Sequence, residues 1–110
     1  MAKEKVRAFT LHNDGSFVAR IQLPWTTEDG DNGMYEQDGY HDICKHAERT
    51  VNLSDTNIPL GSSVYLHAYV VLGKGKDADK SFEYAADGKI AEYTISGTTL
   101  INKLKFDGLK

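Results

Sequence analysis

The sequence predicts an all-β domain, a single antiparallel β-sandwich of about eight strands over residues 1–110. Three observations carry that expectation: short runs in which apolar and polar residues alternate, Asp-Gly pairs at turn positions, and no convincing amphipathic helix.

The clearest alternation lies near the start. Phe17, Ala19, Ile21, Leu23 and Trp25 share one face, with Ser16, Arg20 and Gln22 on the other. That is a half-buried strand. The preceding "KVRAFTLH" alternates less cleanly but is rich in strand formers, and Asn13–Ser16, "NDGS", supplies turn chemistry, so the first two strands are expected to pair antiparallel. "HDICKHAERTVNLSD" predicts one or two short strands, and "NIPLGSS" a turn built on Pro59 and Gly61. The run "SVYLHAYVVL" places Val64, Leu66, Ala68, Val70 and Leu72 on one face and Tyr65, His67, Tyr69 and Val71 on the other. Apolar or aromatic on both faces, it reads as a central strand. A charged loop at Gly73–Lys80 and the short strand "SFEYA" follow, with a hairpin expected at Asp87-Gly88. "KIAEYTIS" and "TTLINKLKF" form the last pair of strands, joined near Gly97, with Leu100, Leu104 and Phe106 on one face.

Composition excludes several function classes. The chain has 110 residues, 40% hydrophobic and 26% charged, with a formal net charge of -3, which fits one globular core and gives no basic field for nucleic acid. "MAKEKVRAF" lacks a signal-peptide apolar region, and "AYVVL" is the longest apolar run, so no transmembrane segment is expected. The expected location is cytoplasmic, with release not requiring a signal peptide. A lone Cys44 excludes an intramolecular disulfide and reads best as a small buried hydrophobe.

The segment Thr26–Asp42, "TTEDGDNGMYEQDGYHD", is the candidate site. It carries six carboxylates, and no Lys or Arg occurs between Ile21 and Cys44. A loop of about sixteen residues without secondary structure is long for a compact domain, and such loops are usually functional or disordered. Trp25 stands at its base and Tyr35 and Tyr40 lie within it; their broad faces and polar tips suit a sugar, a lipid headgroup or a protein surface. The candidate ligand-binding residues are Trp25, Asp29, Asp31, Tyr35, Asp38 and Tyr40. For Trp25, a core position ending the apolar face of its strand is the competing reading.

Calcium needs several converging oxygens, but setting Gly33 at the sixth position of an EF-hand loop puts Gly30 at the third, where an oxygen ligand belongs. The segment is therefore expected to be a mobile, solvated loop without a tight metal site. His41, Cys44 and His46 lack a fourth zinc ligand or a Cys-x-x-Cys partner, and there is no Gly-x-Ser-x-Gly, so neither a metal nor another cofactor nor an enzyme is expected.

"VRAFTLHNDGSFVARIQLPW", Val6–Trp25, resembles the opening hairpin of small cytosolic β-sandwich cytolysins of the aegerolysin and actinoporin-like type. The resemblance covers about a fifth of the chain. It implies a β-sandwich that recognises membrane lipid, alone or with a partner protein. The chain departs from those proteins in having one tryptophan and no amphipathic amino-terminal helix. The expected function is a non-enzymatic, lectin-like binding module acting on carbohydrate, lipid or protein. The alternative is an assembly protein forming homo-oligomers through exposed strand edges.

Overall fold

The structure is a computed structural model, and it describes residues 3–36 and 42–110. Among these residues the chain is all-β, with ten strands: β1 (Lys5–Asn13), β2 (Ala19–Thr26), β3 (Asn32–Glu36), β4 (Glu48–Asn52), β5 (Ser63–Val64), β6 (His67–Val70), β7 (Lys76–Asp77), β8 (Phe82–Tyr84), β9 (Lys89–Gly97) and β10 (Asn102–Leu109). Leu53–Asp55 forms one 3₁₀ turn. The strands make one nearly closed sheet in the order β10-β9-β1-β8-β5-β2-β6-β7, with β3 added to β2 and β4 to β1.

This corrects the expectation of a simple antiparallel sandwich of about eight strands in two respects. The sheet is mixed, because β1 runs parallel to both β8 and β9, and it has ten strands. The expected β1–β2 hairpin does not form. β1 gives one edge to β9 and the other to β4 and β8, whereas β2 pairs with β3, β5 and β6. The Asp87-Gly88 turn also joins no hairpin, since β8 and β9 both lie alongside β1. Here the chain crosses the start of β1 so closely that a Cβ on Gly88 would stand 2.6 Å from the backbone of Val6.

β1 explains its own weak alternation. Ala8, Phe9, Thr10 and Leu11 are all buried in succession, as in a strand covered on both faces. The one polar member, Thr10, is satisfied by Thr50 Oγ1 on β4 at 2.6 Å. β2 and β9 keep period-two burial, with Ala19, Ile21 and Leu23 on one and Ala91, Tyr93 and Ile95 on the other facing inward. These faces meet in a single hydrophobic cluster that also takes in Leu53, Ile58, Leu66 and Phe82.

The run read as one central strand is broken into β5 and β6. Val64, Leu66, Ala68 and Val70 are buried as expected, but Leu72 leaves that face and projects into solvent, and on the other face Tyr69 is exposed while Tyr65 and His67 are only half-buried. Cys44 is exposed rather than buried, because the inward position beside it belongs to Ile43, which bridges Ala19.

Over its described residues up to Glu36, the acidic segment is not a structureless loop. Thr27–Asp31 forms a tight turn, closed by Thr27 N–H donating to Asp31 O at 2.7 Å, and β3 then pairs with β2 from Thr26↔Asn32 to Gln22↔Glu36. Gly33 permits this register: Trp25 lies across it, and a Cβ there would come within 2.8 Å of the indole.

Candidate functional site

The strands place their loops at two ends. Because β6 runs antiparallel to β2 with Ala19 opposite Val70, residues following Val70 sit at the end where β2 begins, away from the Thr27–Asp31 turn. Ser16 N–H donates to Gly97 O at 2.9 Å, which brings the β9–β10 connection to that same end. Here the protein does something energetically unusual.

Leu72, Ile101 and Leu100 are 94%, 81% and 64% exposed, although each is a large aliphatic side chain. Leu72 also holds φ at 58°, the left-handed region that costs an L-residue roughly 1–2 kcal/mol. Strain and exposure thus coincide at Leu72, with no burial gained.

The backbone beneath them is tightly tied. Thr98 N–H donates to Ile101 O at 2.7 Å and Ile101 N–H to Thr98 Oγ1 at 3.1 Å, closing the loop between Gly97 and Asn102. Gly97, at φ 107°, is required because a Cβ would lie 2.4 Å from Ile101 O. Lys74 N–H donates to Thr99 O at 2.8 Å, and Asn102 Nδ2 donates to Lys74 O at 2.8 Å, to Thr98 O and, at longer range, to Thr99 O. The two loops therefore form one clamp that turns the three side chains outward. Lys74, Lys103 and Lys45 lie at this end, the last beyond Ile43.

The residues expected to form the site distribute differently. Trp25 and Tyr35 lie partly buried against the core on the same face of the β2–β3 hairpin, since Tyr35 pairs with Leu23 and Gly33 with Trp25. Asp29 and Asp31 are exposed in the turn at the opposite end of the molecule. Asp29 lines a cleft with Thr27, Glu28, Pro59, Leu60 and Glu83. Asp38 and Tyr40, with His41, fall outside the described residues. Among those described, no three His, Cys, Asp or Glu side chains converge as metal ligands do.

The sequence reading missed Leu72, Leu100 and Ile101 by assigning them to strand faces. Its available signals were Gly73 directly after Leu72 and the Gly-Thr-Thr at residues 97–99, both turn chemistry.

A second concavity, about 260 Å³, lies between β7 and β10, the two ends of the sheet path. Tyr93 of β9 lines it and is only 3% exposed, with a hydroxyl that has no hydrogen-bond partner among the described residues. Burial, and then the Asp79 carboxylate, pushes its pKa up to about 12. A folded value above the unfolded one of 10.0 means the contribution is complete below pH 10 and disappears as pH rises toward 12, about 2–3 kcal/mol in all. Urea unfolding of the chain and of Tyr93→Phe between pH 9 and 12 should show the wild-type free energy falling relative to the variant. Parallel profiles would contradict the assignment.

No family model matches the chain, and no curated protein matches it in sequence. Solved structures do match in shape. Listeriolysin O is similar over 94% of this chain with a TM-score of 0.51 and 14% identity, and pneumolysin over 94% with 0.50 and 15%. A disulfide-locked intermedilysin, determined with human CD59, matches over 94% with 0.50 and 19% identity. The chain spans only 22%, 23% and 24% of those three proteins in turn, so the likeness is to one part of each. At these identities it concerns fold alone. It supports a cytolysin-like resemblance of the pneumolysin type, and does not point specifically to aegerolysins or actinoporins.

Proposed function

We propose that this chain is a non-enzymatic binding module that docks on a lipid bilayer through the end formed by Leu72, Leu100 and Ile101. The observation that carries the reading is the exposure of these three side chains on a hydrogen-bonded clamp. Fully burying one aliphatic side chain is worth roughly 1.5–3 kcal/mol, so three of them supply about 5–9 kcal/mol before the cost of association. Each Lys near an anionic surface adds about 1 kcal/mol, and Lys45, Lys74 and Lys103 lie at the same end. The acidic Thr27–Asp31 turn lies at the far end and faces away. A rigid clamp suits the task, because loops already held in their bound form lose little entropy on docking. The likeness in fold to parts of pneumolysin-type toxins agrees with a binding rather than a catalytic role.

Co-sedimentation with phosphatidylcholine vesicles, with phosphatidylserine or sterol added in separate arms, tests the proposal. The chain is expected to partition onto vesicles, and the triple variant Leu72→Ser, Leu100→Ser, Ile101→Ser to lose at least about tenfold in partition while melting at the wild-type temperature or above. Equal partition of the two proteins, or no partition of the wild type onto any of these vesicles, would reject it.

A further inference from the structure

We propose that the free edge of β3 is a self-association surface, where a second copy of this chain pairs antiparallel about a two-fold axis at Met34. The edge residues are Asn32, Met34 and Glu36, none of which belongs to the docking end.

β3 pairs with β2 along one side, and among the described residues no strand pairs with its other side. The alternation of hydrogen bonds in an antiparallel ladder decides which groups face outward. Thr27 N–H donates to Asp31 O at 2.7 Å, so these two residues face each other, and by alternation Trp25↔Gly33 and Leu23↔Tyr35 do the same. Pro24, which has no N–H, stands opposite Met34 and turns its carbonyl the other way, accepting from Tyr65 N–H at 3.2 Å. Asn32, Met34 and Glu36 therefore direct their N–H and C=O groups away from β2, as a row open to another strand.

Proteins blunt their free edges with lysine, proline, bulges or a covering segment. β10 carries Lys103 and Lys105 and a bulge between Phe106 and Gly108. β4 is tied to the segment beyond β3 by Arg49, whose Nη2 donates to Asp42 O at 3.4 Å. β3 has none of these devices. Its register against β2 is regular, it contains no Lys, Arg or Pro, and Met34 at its centre is 51% exposed.

The strand is complementary to itself, which is why a second copy is the partner it fits. Antiparallel pairing about Met34 sets Met34 opposite Met34 of the second copy and Asn32 opposite its Glu36. Those are the residues whose backbone groups face outward, so each pair exchanges both N–H···O bonds. The Asn32 amide meets the Glu36 carboxylate, which already accepts from Gln22 Nε2 at 3.0 Å within its own chain, and no like charges stand opposite each other. The two methionines cover one another, and their unbranched side chains adapt to the contact. Orientation follows from the symmetry. β3 ends towards the docking end, because it runs antiparallel to β2, which begins there. The two-fold reverses the second copy, so the two docking ends point in opposite directions and one dimer holds two bilayers. This consequence rests on the docking reading; the dimer itself does not.

Sedimentation equilibrium of the full chain, at concentrations up to about 1 mM, should show a reversible monomer–dimer equilibrium, weak because the interface is small. Met34→Lys sets two ammonium groups against each other at an exposed position, and Met34→Pro removes an N–H that the fold does not use. Each is expected to weaken the dimer at least about tenfold. Asn32→Lys, placed to meet Glu36 of the second copy, should tighten it several-fold. A wild type monomeric throughout would overturn the proposal and leave the edge to a strand of another protein. Dimers unaffected by both Met34 variants, an Asn32→Lys variant no tighter than wild type, or growth beyond the dimer would overturn it as well, since a two-fold pairing consumes both edges. Vesicles of phosphatidylcholine and phosphatidylserine should cluster, read as turbidity, with the wild type and not with Met34→Pro, while both proteins partition equally. Equal clustering would overturn the opposed arrangement; no partition of either protein would reject the docking reading and leave the sedimentation result standing.

Discussion

Phe82→Ala should destabilise the fold by about 3–5 kcal/mol, the range for removing a fully buried phenylalanine. Phe82 has no solvent exposure and sits at the centre of an aromatic row: Phe9 meets it edge-on at 6.0 Å between ring centroids, and Phe106 lies 5.8 Å away on its other side. The row crosses from β1 through β8 to β10, so it joins strands remote in the sequence. Removing the middle ring leaves a cavity that its neighbours, held on β-strands, can fill only in part. For a domain of 110 residues the total stability is on the order of 5–16 kcal/mol, and the loss is a large share of it. Urea denaturation should show the midpoint falling with little change in slope, because the surface exposed on unfolding hardly alters. Phe82→Leu, which retains most of the volume, should lose far less. A loss below about 1 kcal/mol for the alanine variant would mean the row is not packed as described.

The row also connects the core to the second concavity. Phe106 is its last ring and also lines the concavity between β7 and β10, and Lys80 lies over Phe82 as well as Phe106.

Strands were legible wherever one face met the core and the other met solvent. Phe17 to Trp25 and the stretch from Lys89 to Ser96 alternate in burial much as they alternate in character. β1 was harder because burial on both faces removes the alternation that identifies a strand. Pairing was legible only for the last two strands, joined near Gly97, where β10 does run antiparallel to β9. Alternation fixes which face a residue occupies and says nothing of the neighbouring strand, so Asn13–Ser16 looked like a hairpin turn. It is instead a corner between strands that pair elsewhere.

The acidic segment misled for a related reason. Its carboxylates hid a five-residue strand whose inner face is formed by Gly33 and Tyr35, and a glycine contributes nothing to a hydrophobic pattern. Only the position of Trp25 across the sheet shows why glycine belongs there. Leu72, Leu100 and Ile101 posed the opposite problem. An apolar residue next to a strand is expected to continue its buried face, and a backbone at positive φ or a four-residue loop closed by Thr98 is visible only in three dimensions.

Asn13 carries the second large expectation. It is fully buried at the end of β1, and its side chain makes three hydrogen bonds: Nδ2 donates to Phe17 O at 2.6 Å and to Ile43 O at 2.8 Å, while Oδ1 accepts from Gly15 N–H at 2.9 Å. Its backbone adds two more, with Ala47 and His46. One side chain thus ties the corner after β1 to the segment entering β4, both at the apolar end. Asn13→Ala leaves the Phe17 carbonyl and the Gly15 amide without these partners, while the Ile43 carbonyl keeps the Ala19 N–H at 3.1 Å, and at about 1–3 kcal/mol for each unsatisfied buried group the expected loss is about 2 kcal/mol or more. Asn13→Asp separates geometry from charge. The carboxylate still accepts from Gly15, but an anionic oxygen then opposes the carbonyls of Phe17 and Ile43. Burial and that repulsion raise the folded pKa of the new carboxyl above its unfolded value, so its stability is greatest below the unfolded pKa and falls as pH rises. Urea unfolding should therefore find Asn13→Asp no better than Asn13→Ala at pH 7 and clearly better at pH 4, where the protonated acid can donate to one carbonyl. Identical profiles for the two variants would show that the amide is not held between those carbonyls. Because the same hydrogen bonds frame the end that presents Leu72, Leu100 and Ile101, vesicle partition of Asn13→Asp should weaken as pH rises from 4 to 7 relative to wild type, at temperatures where both remain folded.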